Sequence, residues 1–342
     1  MRILVTGACG YIGRNLVAAL SRTDGVERLI GLDLHAPPEP VARLEFVKRD
    51  LRTPLHDIIQ RDSVTTVVHL AYVVAPIRDT ALMEDINEQG TRAVLEACRR
   101  GRVRHLIYTS SMAAYGLHRD NDTPLTEASP LRGNEDFTYA RTKKRIEAMV
   151  ARFAGDNPDV AVTVVRPSFI VGPGCTDPLA THLQKKIVLL PRRTRPFQFV
   201  HRTDVTNILM HFIRTRQRGT YNVGAEGTIT FKTMVRTLGN IRIGLSWPGI
   251  YLFNELAWRL HLGFVTEVPS SALRFLVHPC VMSAEKLVRE TGYCFLYDTR
   301  AAFEDYVCWV KNQSRTSASR REPRVTIRRA LAQLRAGDAG PA

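Results

Sequence analysis

MRILVTGACGYIGRNL, residues 1–16, decides the fold. Ile3 to Thr6 is an apolar run short enough for a buried strand, and Gly7, Gly10 and Gly13 carry it through a tight turn into a helix. Strand, glycine turn and helix in that order form a dinucleotide-binding unit. Glycine lets backbone N–H groups approach a pyrophosphate, and the helix start aims its positive dipole end at the same anion. Tyr11 and Ile12 lie between the last two glycines and belong to the same cofactor-binding turn. Asp33 follows Gly13 by 20 residues, after the apolar run Leu29 to Leu32, where a carboxylate takes the adenosine ribose hydroxyls. A carboxylate repels a 2′-phosphate, so the expected cofactor is NAD rather than NADP, with Arg14 and His35 as residues that would soften the preference.

Outward from this unit, apolar runs alternate with helical patterns. Val64 to Leu70, Val103 to Ser110 and Val160 to Val165 read as buried strands, with helices over Gly90 to Arg100 and Tyr139 to Phe153. Such alternation implies parallel strands joined by right-handed crossovers, with ligands at the carboxyl ends of the strands. The expected fold is α/β, a Rossmann-like doubly wound parallel sheet with a small discontinuous C-terminal substrate-binding lobe. The domains expected are an NAD-binding domain over 1–165 with a returning segment near 197–224, a mainly substrate-binding lobe over 166–310, and a basic, flexible tail over 311–342. In the second half, Phe197 to Asp204 and Gly219 to Gly224 read as strands, and Phe231 to Leu238, Ser283 to Gly292 and Ala301 to Lys311 as helices. The tail carries eight Lys or Arg against Glu322 and Asp338, with a short helix expected over Val325 to Leu334.

Hydrophobic residues at 44% and charged ones at 24% describe an ordinary globular protein. The net charge of +15 raises nucleic acid or an anionic membrane as a partner. Clusters such as Arg99, Arg100, Arg102 and Arg104, or Arg192, Arg193 and Arg195, lie at element ends without interleaved aromatics, however, and read as solvated surface. No nucleic-acid partner is expected. The six cysteines form no close pair and read as reduced packing residues, and with no apolar leader before the first strand a cytoplasmic location is expected. No His or carboxylate spacing supports a metal site. Leu245 to Phe264 is strongly apolar but contains Asn254, Glu255, Arg259 and His261, so it is a poor membrane span. It reads as an amphipathic helix walling a pocket, with a peripheral membrane contact as the alternative.

The chemistry starts at Tyr139, with Lys143 four positions on. Residues four apart share one helix face, which sets an ammonium beside a phenol. A free phenol has a pKa of about 10, and the lysine charge, joined by the positive ring of oxidised nicotinamide, is expected to lower it toward the working range of a base. Ser110-Ser111, at the end of the preceding strand, supplies a hydroxyl able to orient a substrate oxygen.

The chain resembles an extended short-chain dehydrogenase/reductase of the NAD-dependent epimerase/dehydratase superfamily. The matching segments are Thr-Gly-Ala-Cys-Gly-Tyr-Ile-Gly (6–13), Arg-Asp-Leu (49–51), Val-Val-His-Leu-Ala (67–71), Asn-Glu-Gln-Gly-Thr (87–91), Tyr-Thr-Ser-Ser-Met-Ala-Ala-Tyr-Gly (108–116), Tyr-Ala-Arg-Thr-Lys (139–143), Arg-Pro-Ser-Phe-Ile-Val-Gly-Pro-Gly (166–174) and Phe-Val-His-Arg-Thr-Asp-Val (199–205). The resemblance implies that Asp50 and Leu51 edge the adenine, Leu70 and Ala71 line the cofactor cleft, and Asn87 sits near the nicotinamide. It makes Ser111 the catalytic hydroxyl, Tyr139 the acid/base and Lys143 the grip on the nicotinamide ribose. Asn87 reads alternatively as a helix N-cap, and His69 and His201 as packing histidines. Relatives often form homodimers through the helices after Asn87 and around Tyr139, and a homodimer is expected here, with Ile146, Met149, Val150 and Phe153 either at that seam or facing the sheet.

Substrate signals are mixed. Dehydratases of this superfamily typically carry Thr-Asp-Glu at the Ser-Ser position, and Ser111-Met112-Ala113 disfavours that reaction. At the position where galactose-type epimerases use an arginine to grip a diphosphate this chain has Phe197, with Arg195 two residues too early, and Arg274-Phe-Leu-Val-His-Pro-Cys replaces their second arginine segment. The leading expectation is a sugar-nucleotide 4-epimerase or reductase, with the diphosphate held by Arg192, Arg193, Arg195 or Arg274. The alternatives are a dehydrogenase of a hydrophobic, sterol-like or secondary-metabolite alcohol, and an NAD-binding regulatory protein without catalysis.

Overall fold

The computed structural model describes residues 1–74, 77–263 and 265–316. The helix expected over Val325 to Leu334 lies outside the described residues. Eleven strands are described: β1 (Arg2–Thr6), β2 (Arg28–Asp33), β3 (Leu44–Lys48), β4 (Thr66–His69), β5 (His105–Thr109), β6 (Ala161–Pro167), β7 (Phe169–Val171), β8 (Ile187–Pro191), β9 (Phe199–His201), β10 (Gly219–Val223) and β11 (Ile241–Leu245). The helices are α1 (Tyr11–Leu20), α2 (His56–Arg61), α3 (Thr80–Arg100), α4 (Thr138–Asp156), α5 (Pro178–Leu183), α6 (Arg202–Thr215), α7 (Phe231–Leu238), α8 (Trp247–Arg259), α9 (Glu285–Thr291) and α10 (Thr299–Thr316).

Seven strands form one parallel sheet in the order β10-β6-β5-β4-β1-β2-β3. Its central strands β1, β4, β5 and β6 are buried on both faces, which explains their near-continuous apolar sequences. Alternate residues serve opposite layers. Leu4, Val67 and Leu106 pack with Ile58, Val94, Ile146 and Val150 of α2, α3 and α4. Ile3, Val5, Val68 and Ile107 pack with Leu16, Val17, Ile208 and Phe212 of α1 and α6. The chain reverses its direction of progress across the sheet at β1 and β4, and the carboxyl ends of those strands open the crevice where a doubly wound sheet holds its ligand. A third apolar cluster joins β8, β9, α7 and α10 to the 3₁₀ turn over Met112–Tyr115.

Several boundaries differ from expectation, each for a local reason. The helix expected from Gly90 starts at Thr80, because the Asp79 carboxylate caps it by accepting the Leu82 N–H at 3.0 Å. The strand expected to run to Asp204 stops at His201, whose ring accepts the Thr203 N–H and starts α6. Helix α10 continues past Lys311 to Thr316, so the first residues of the expected tail are helical. Ile146, Val150 and Phe153 face the sheet core, which leaves only Met149 of that run partly buried at its edge. No helix among the described residues is long and apolar enough to cross a membrane.

Candidate active site

At the end of β1, Gly7 turns the chain with a φ of +70°, a region that favours glycine. Side chains would not fit here. A Cβ on Gly7 would stand 2.7 Å from the Ala71 backbone, and one on Gly13 would stand 1.9 Å from the Gly7 carbonyl oxygen. Gly10, extended, precedes α1 with no side-chain cap, and the first turn, which includes Tyr11 and Ile12, carries no acidic residue. The helix therefore offers its first amides to an anion. Leu70 and Ala71 run alongside β1, their N–H groups bonding Thr6 O at 3.2 Å and Thr6 Oγ1 at 3.4 Å.

Asp33 ends β2, and its carboxylate accepts the Cys9 N–H at 3.0 Å and the Leu34 N–H at 2.7 Å, which anchors it beside the glycine turn. The Cys9 thiol is pushed up to about 11 by burial and by the Asp33 charge. Burial works against the Asp50 charge, yet hydrogen bonds and charge from Arg52, whose Nη2 lies 2.8 Å away, hold its carboxyl below the usual range. Leu51 is buried against Gly90 of α3, where an added Cβ would meet it at 2.8 Å, so its side chain is committed to packing. Arg14 reaches away from Asp33 to the Gly174 carbonyl at 3.3 Å. A glycine cradle with no room for side chains, an uncapped helix start and a fixed carboxylate one strand over together fit NAD.

Across the crevice, Ser111 follows β5 and Tyr139 stands in the first turn of α4. The Tyr139 phenol is pushed up to about 12 by burial, with a hydrogen-bonding interaction from Ser111 opposing the shift. Lys143 is buried, and its Nζ donates to the Thr109 carbonyl at 3.0 Å while lying 3.7 Å from the centre of the Tyr72 ring. Desolvation brings its ammonium down to about 7, against the opposing pull of Glu147. Its distance to the Tyr139 ring centre is 6.0 Å. The ammonium is turned toward Tyr72, and burial dominates the phenol.

Asn87 lies within α3 and is not its cap. Its Oδ1 accepts the Val73 N–H at 2.8 Å, pinning the segment that leaves β4. His69 is buried between Thr6 Oγ1 at 2.8 Å and Thr91 Oγ1 at 3.1 Å, and burial followed by the Lys143 charge lowers its pKa to about 3. His201 pairs with Asp305 at 3.0 Å.

Two features lay outside the sequence reading. Tyr72, two residues past the His-Leu motif, packs edge-on against Tyr139 at 5.4 Å and caps Lys143, and its place in the Val-Val-His-Leu-Ala-Tyr run was the available signal. One turn beyond Lys143, Glu147 accepts from Ser110 and takes Arg166 in a two-pronged pair, with Arg166 Nη2 at 2.6 Å. Arg166 also donates to the Tyr115 hydroxyl at 2.8 Å, which in turn donates to Asn222 at 2.7 Å. This buried network uses Ser110 and leaves Ser111 for the site. Signals for it were Glu147 four residues after Lys143 and the Arg-Pro at 166–167.

On the far side of Tyr139 the neighbours are aromatic. Phe137 lies 6.0 Å from Tyr139 and 6.0 Å from Phe275, Phe275 lies 4.8 Å from Phe169, and Phe169 lies 4.5 Å from Phe197. Arg274 is paired to Asp136, three residues before Tyr139, at 2.5 and 2.6 Å.

Comparison with known proteins agrees with this arrangement. The chain is 28% identical over 313 residues to an uncharacterised protein, Rv0501, of Mycobacterium tuberculosis (strain ATCC 25618 / H37Rv), covering 89% of this chain and 82% of that one. It is 27% identical over 182 residues to the 3 beta-hydroxysteroid dehydrogenase/Delta 5-->4-isomerase of vaccinia virus (strain Copenhagen), a match over 50% of this chain and 52% of the relative. In fold it resembles MoeE5 in complex with UDP-glucuronic acid and NAD, with a TM-score of 0.73 and 22% identity over 92% of this chain and all of that one. It also resembles the UDP-glucose 4-epimerase of Thermus thermophilus in complex with NAD, with a TM-score of 0.72 and 21% identity over 91% of this chain and 99% of that one. The family model described as the NAD dependent epimerase/dehydratase family matches residues 3–224. With its glycine cradle, fixed Asp33 and Tyr139–Lys143 pair inside that span, the chain belongs to the NAD-dependent epimerase/dehydratase family of enzymes.

Proposed function

We propose that the protein is an NAD-dependent dehydrogenase or reductase acting on a secondary alcohol or ketone of a hydrophobic, sterol-like ring. The observation that carries this reading is the aromatic wall of the partly exposed Tyr139, Phe275 and Phe169, backed by Phe137 and Phe197 of the buried core. Flat apolar rings bury well against such a wall, and a diphosphate does not. The partial match to a viral steroid dehydrogenase points the same way.

In this reading NAD, held by the glycine turn and Asp33, would supply the hydride acceptor for the carbon that bears the hydroxyl. The Tyr139 oxygen takes the hydroxyl proton as that carbon becomes a carbonyl, and returns it in the reverse direction. Ser111 donates a hydrogen bond to the same substrate oxygen and favours the charge developing there. Lys143 grips the nicotinamide ribose and stands as a nearby positive group when protonated. Asn87 acts as a positioning residue, holding the Tyr72–Val73 backbone at the cofactor edge. Gly7, Gly10, Gly13, Tyr11 and Ile12 hold the pyrophosphate, Asp33 the adenosine ribose, Asp50 and the Leu51 backbone the adenine edge, and Leu70 and Ala71 the cleft wall.

A second reading, a sugar-nucleotide 4-epimerase or reductase, is favoured by one observation. Burial and then the charges of Arg274, Arg119 and Arg195 lower the pKa of His278, so three guanidinium groups lie close to this histidine beside Phe275. A melting-temperature screen with NAD present separates the two, because a ligand stabilises the folded state by mass action. Steroid-like alcohols should raise the melting temperature and yield stoichiometric NADH. A rise with UDP- or dTDP-sugars alone, without net NADH, overturns the first reading in favour of the second.

A further inference from the structure

Helix α8 and its capping residue Leu260 present Leu252, Phe253, Leu256 and Leu260 to solvent, with Leu252 70% and Leu256 55% exposed. At about 100° per residue the four fall within one arc roughly 100° wide, whereas Ile250, Asn254 and Ala257 face the protein and are buried. Just before the helix, Ile241 and Ile243 on β11 are exposed, as is Ile187, the register partner of Ile241 on β8. Seven of the ten large exposed apolar side chains among the described residues thus lie on this one unit. The surrounding sequence is strongly basic. Residues 178–196 and 230–263 hold nine Lys or Arg, among them Lys186, Arg192, Arg193 and Arg236, against the single carboxylate of Glu255, which is paired with Arg259 at 2.8 Å.

We propose that α8 and the β8–β11 ribbon dock this enzyme on the surface of an anionic phospholipid bilayer, with the apolar arc of α8 entering the acyl boundary and the flanking cations meeting phosphate headgroups. Only such a surface uses both properties. A second copy of the chain would bring like charges face to face across a two-fold contact. A nucleic acid would use the cations but leaves an aliphatic patch without stacking partners. A helix lying in the interface takes apolar side chains on one face and basic groups beside them. The buried face of α8, opposite the apolar arc, is tied to the site. Asn254 donates to the Val268 carbonyl at 3.0 Å and to Ser270 at 3.2 Å, tying α8 to the 3₁₀ turn over Ser270–Leu276 that carries Phe275 of the aromatic wall. Arg78, beyond the segment that Asn87 pins, stacks on Trp258 at 4.3 Å. The docking goes beyond the substrate reading above and does not rest on it.

The test is flotation of the full chain with vesicles of phosphatidylcholine alone and of phosphatidylcholine mixed with phosphatidylglycerol, at physiological salt. Binding should be at least about tenfold greater to the mixed vesicles. The combined variant Leu252→Ser, Phe253→Ser, Leu256→Ser should lose that binding about tenfold while keeping its melting temperature and NAD affinity. Brominated lipids should quench a tryptophan placed on the arc by Leu256→Trp more strongly than the native Trp247 and Trp258, which lie on the opposite side of α8. The proposal is overturned by unchanged binding of the variant, which would place the attachment in other basic segments. It is equally overturned by no vesicle binding, by stronger binding to DNA than to vesicles, or by a variant whose only change is loss of a dimer. Turnover of a soluble substrate is measured separately, so failure of docking and failure of the substrate reading are distinguishable.

Discussion

At the scale of single residues, the site rests on a phenol that burial has made harder to ionise. Tyr139→Phe should lower kcat by about 10²–10⁴ while NAD affinity stays within about twofold, measured by turnover and by calorimetric titration. Gly13→Ala forces a methyl against the Gly7 carbonyl, which is backbone and cannot swing away. It should cost about 1–3 kcal/mol in urea unfolding and weaken NAD binding by more than tenfold. Lys143 makes a prediction about pH. Its pKa falls from 10.5 when unfolded to about 7 when folded, so between those values the unfolded chain holds the extra proton and stability rises with pH. Lys143→Met should flatten the rise in unfolding free energy from pH 7 to 9, and an unchanged slope would place the ammonium in water. Sequence showed which residue types gather here, because glycine spacing and a Tyr-to-Lys interval of four are geometric statements. It did not show which way the lysine turns, since Tyr72 and Thr109 reach it only through the packing of β4 and β5 against α4.

Among the elements, α4 carries most of the function. It supplies Tyr139 and Lys143 on the face toward the crevice, and Glu147 on the next turn enters the buried pair with Arg166 of β6. Removing one partner strands a buried charge, so Glu147→Gln should destabilise the protein by about 3–5 kcal/mol in urea unfolding. The double change Glu147→Met, Arg166→Leu should cost less than either single change, and a larger, additive loss would mean that the pair is not coupled. The strands of the main sheet from β4 to β6 were legible because burial on both faces makes them continuous apolar runs. Strands β3, β8 and β11 were not. Each has five residues, and β11 alternates isoleucine with arginine and glycine over a face that remains exposed. Helix α6 hid behind an apparent strand because its cap is a histidine, which no simple rule marks as a helix start.

For the whole molecule, the parallel sheet collects the proposed site groups at one rim, where the ends of β1, β2, β3, β4 and β5 meet Asn87 of α3 and the start of α4. This much was readable from the alternation of strand and helix. The C-terminal half was less so, because its short elements are held by aromatic contacts between distant segments, such as Phe169 with Phe275 and Phe199 with Phe303 at 5.5 Å. The way the molecule encloses its thiols has a consequence for oxidants. Cys98, Cys175 and Cys280 are buried, and Cys9 sits in the glycine turn with its ionisation suppressed, while Cys294 and Cys308 are exposed. Thiolates, not thiols, react. Peroxide or an alkylating reagent at neutral pH should therefore mark Cys294 and Cys308 first, by mass spectrometry, and oxidised preparations should join into disulfide-linked pairs while the cofactor end of the crevice stays chemically intact.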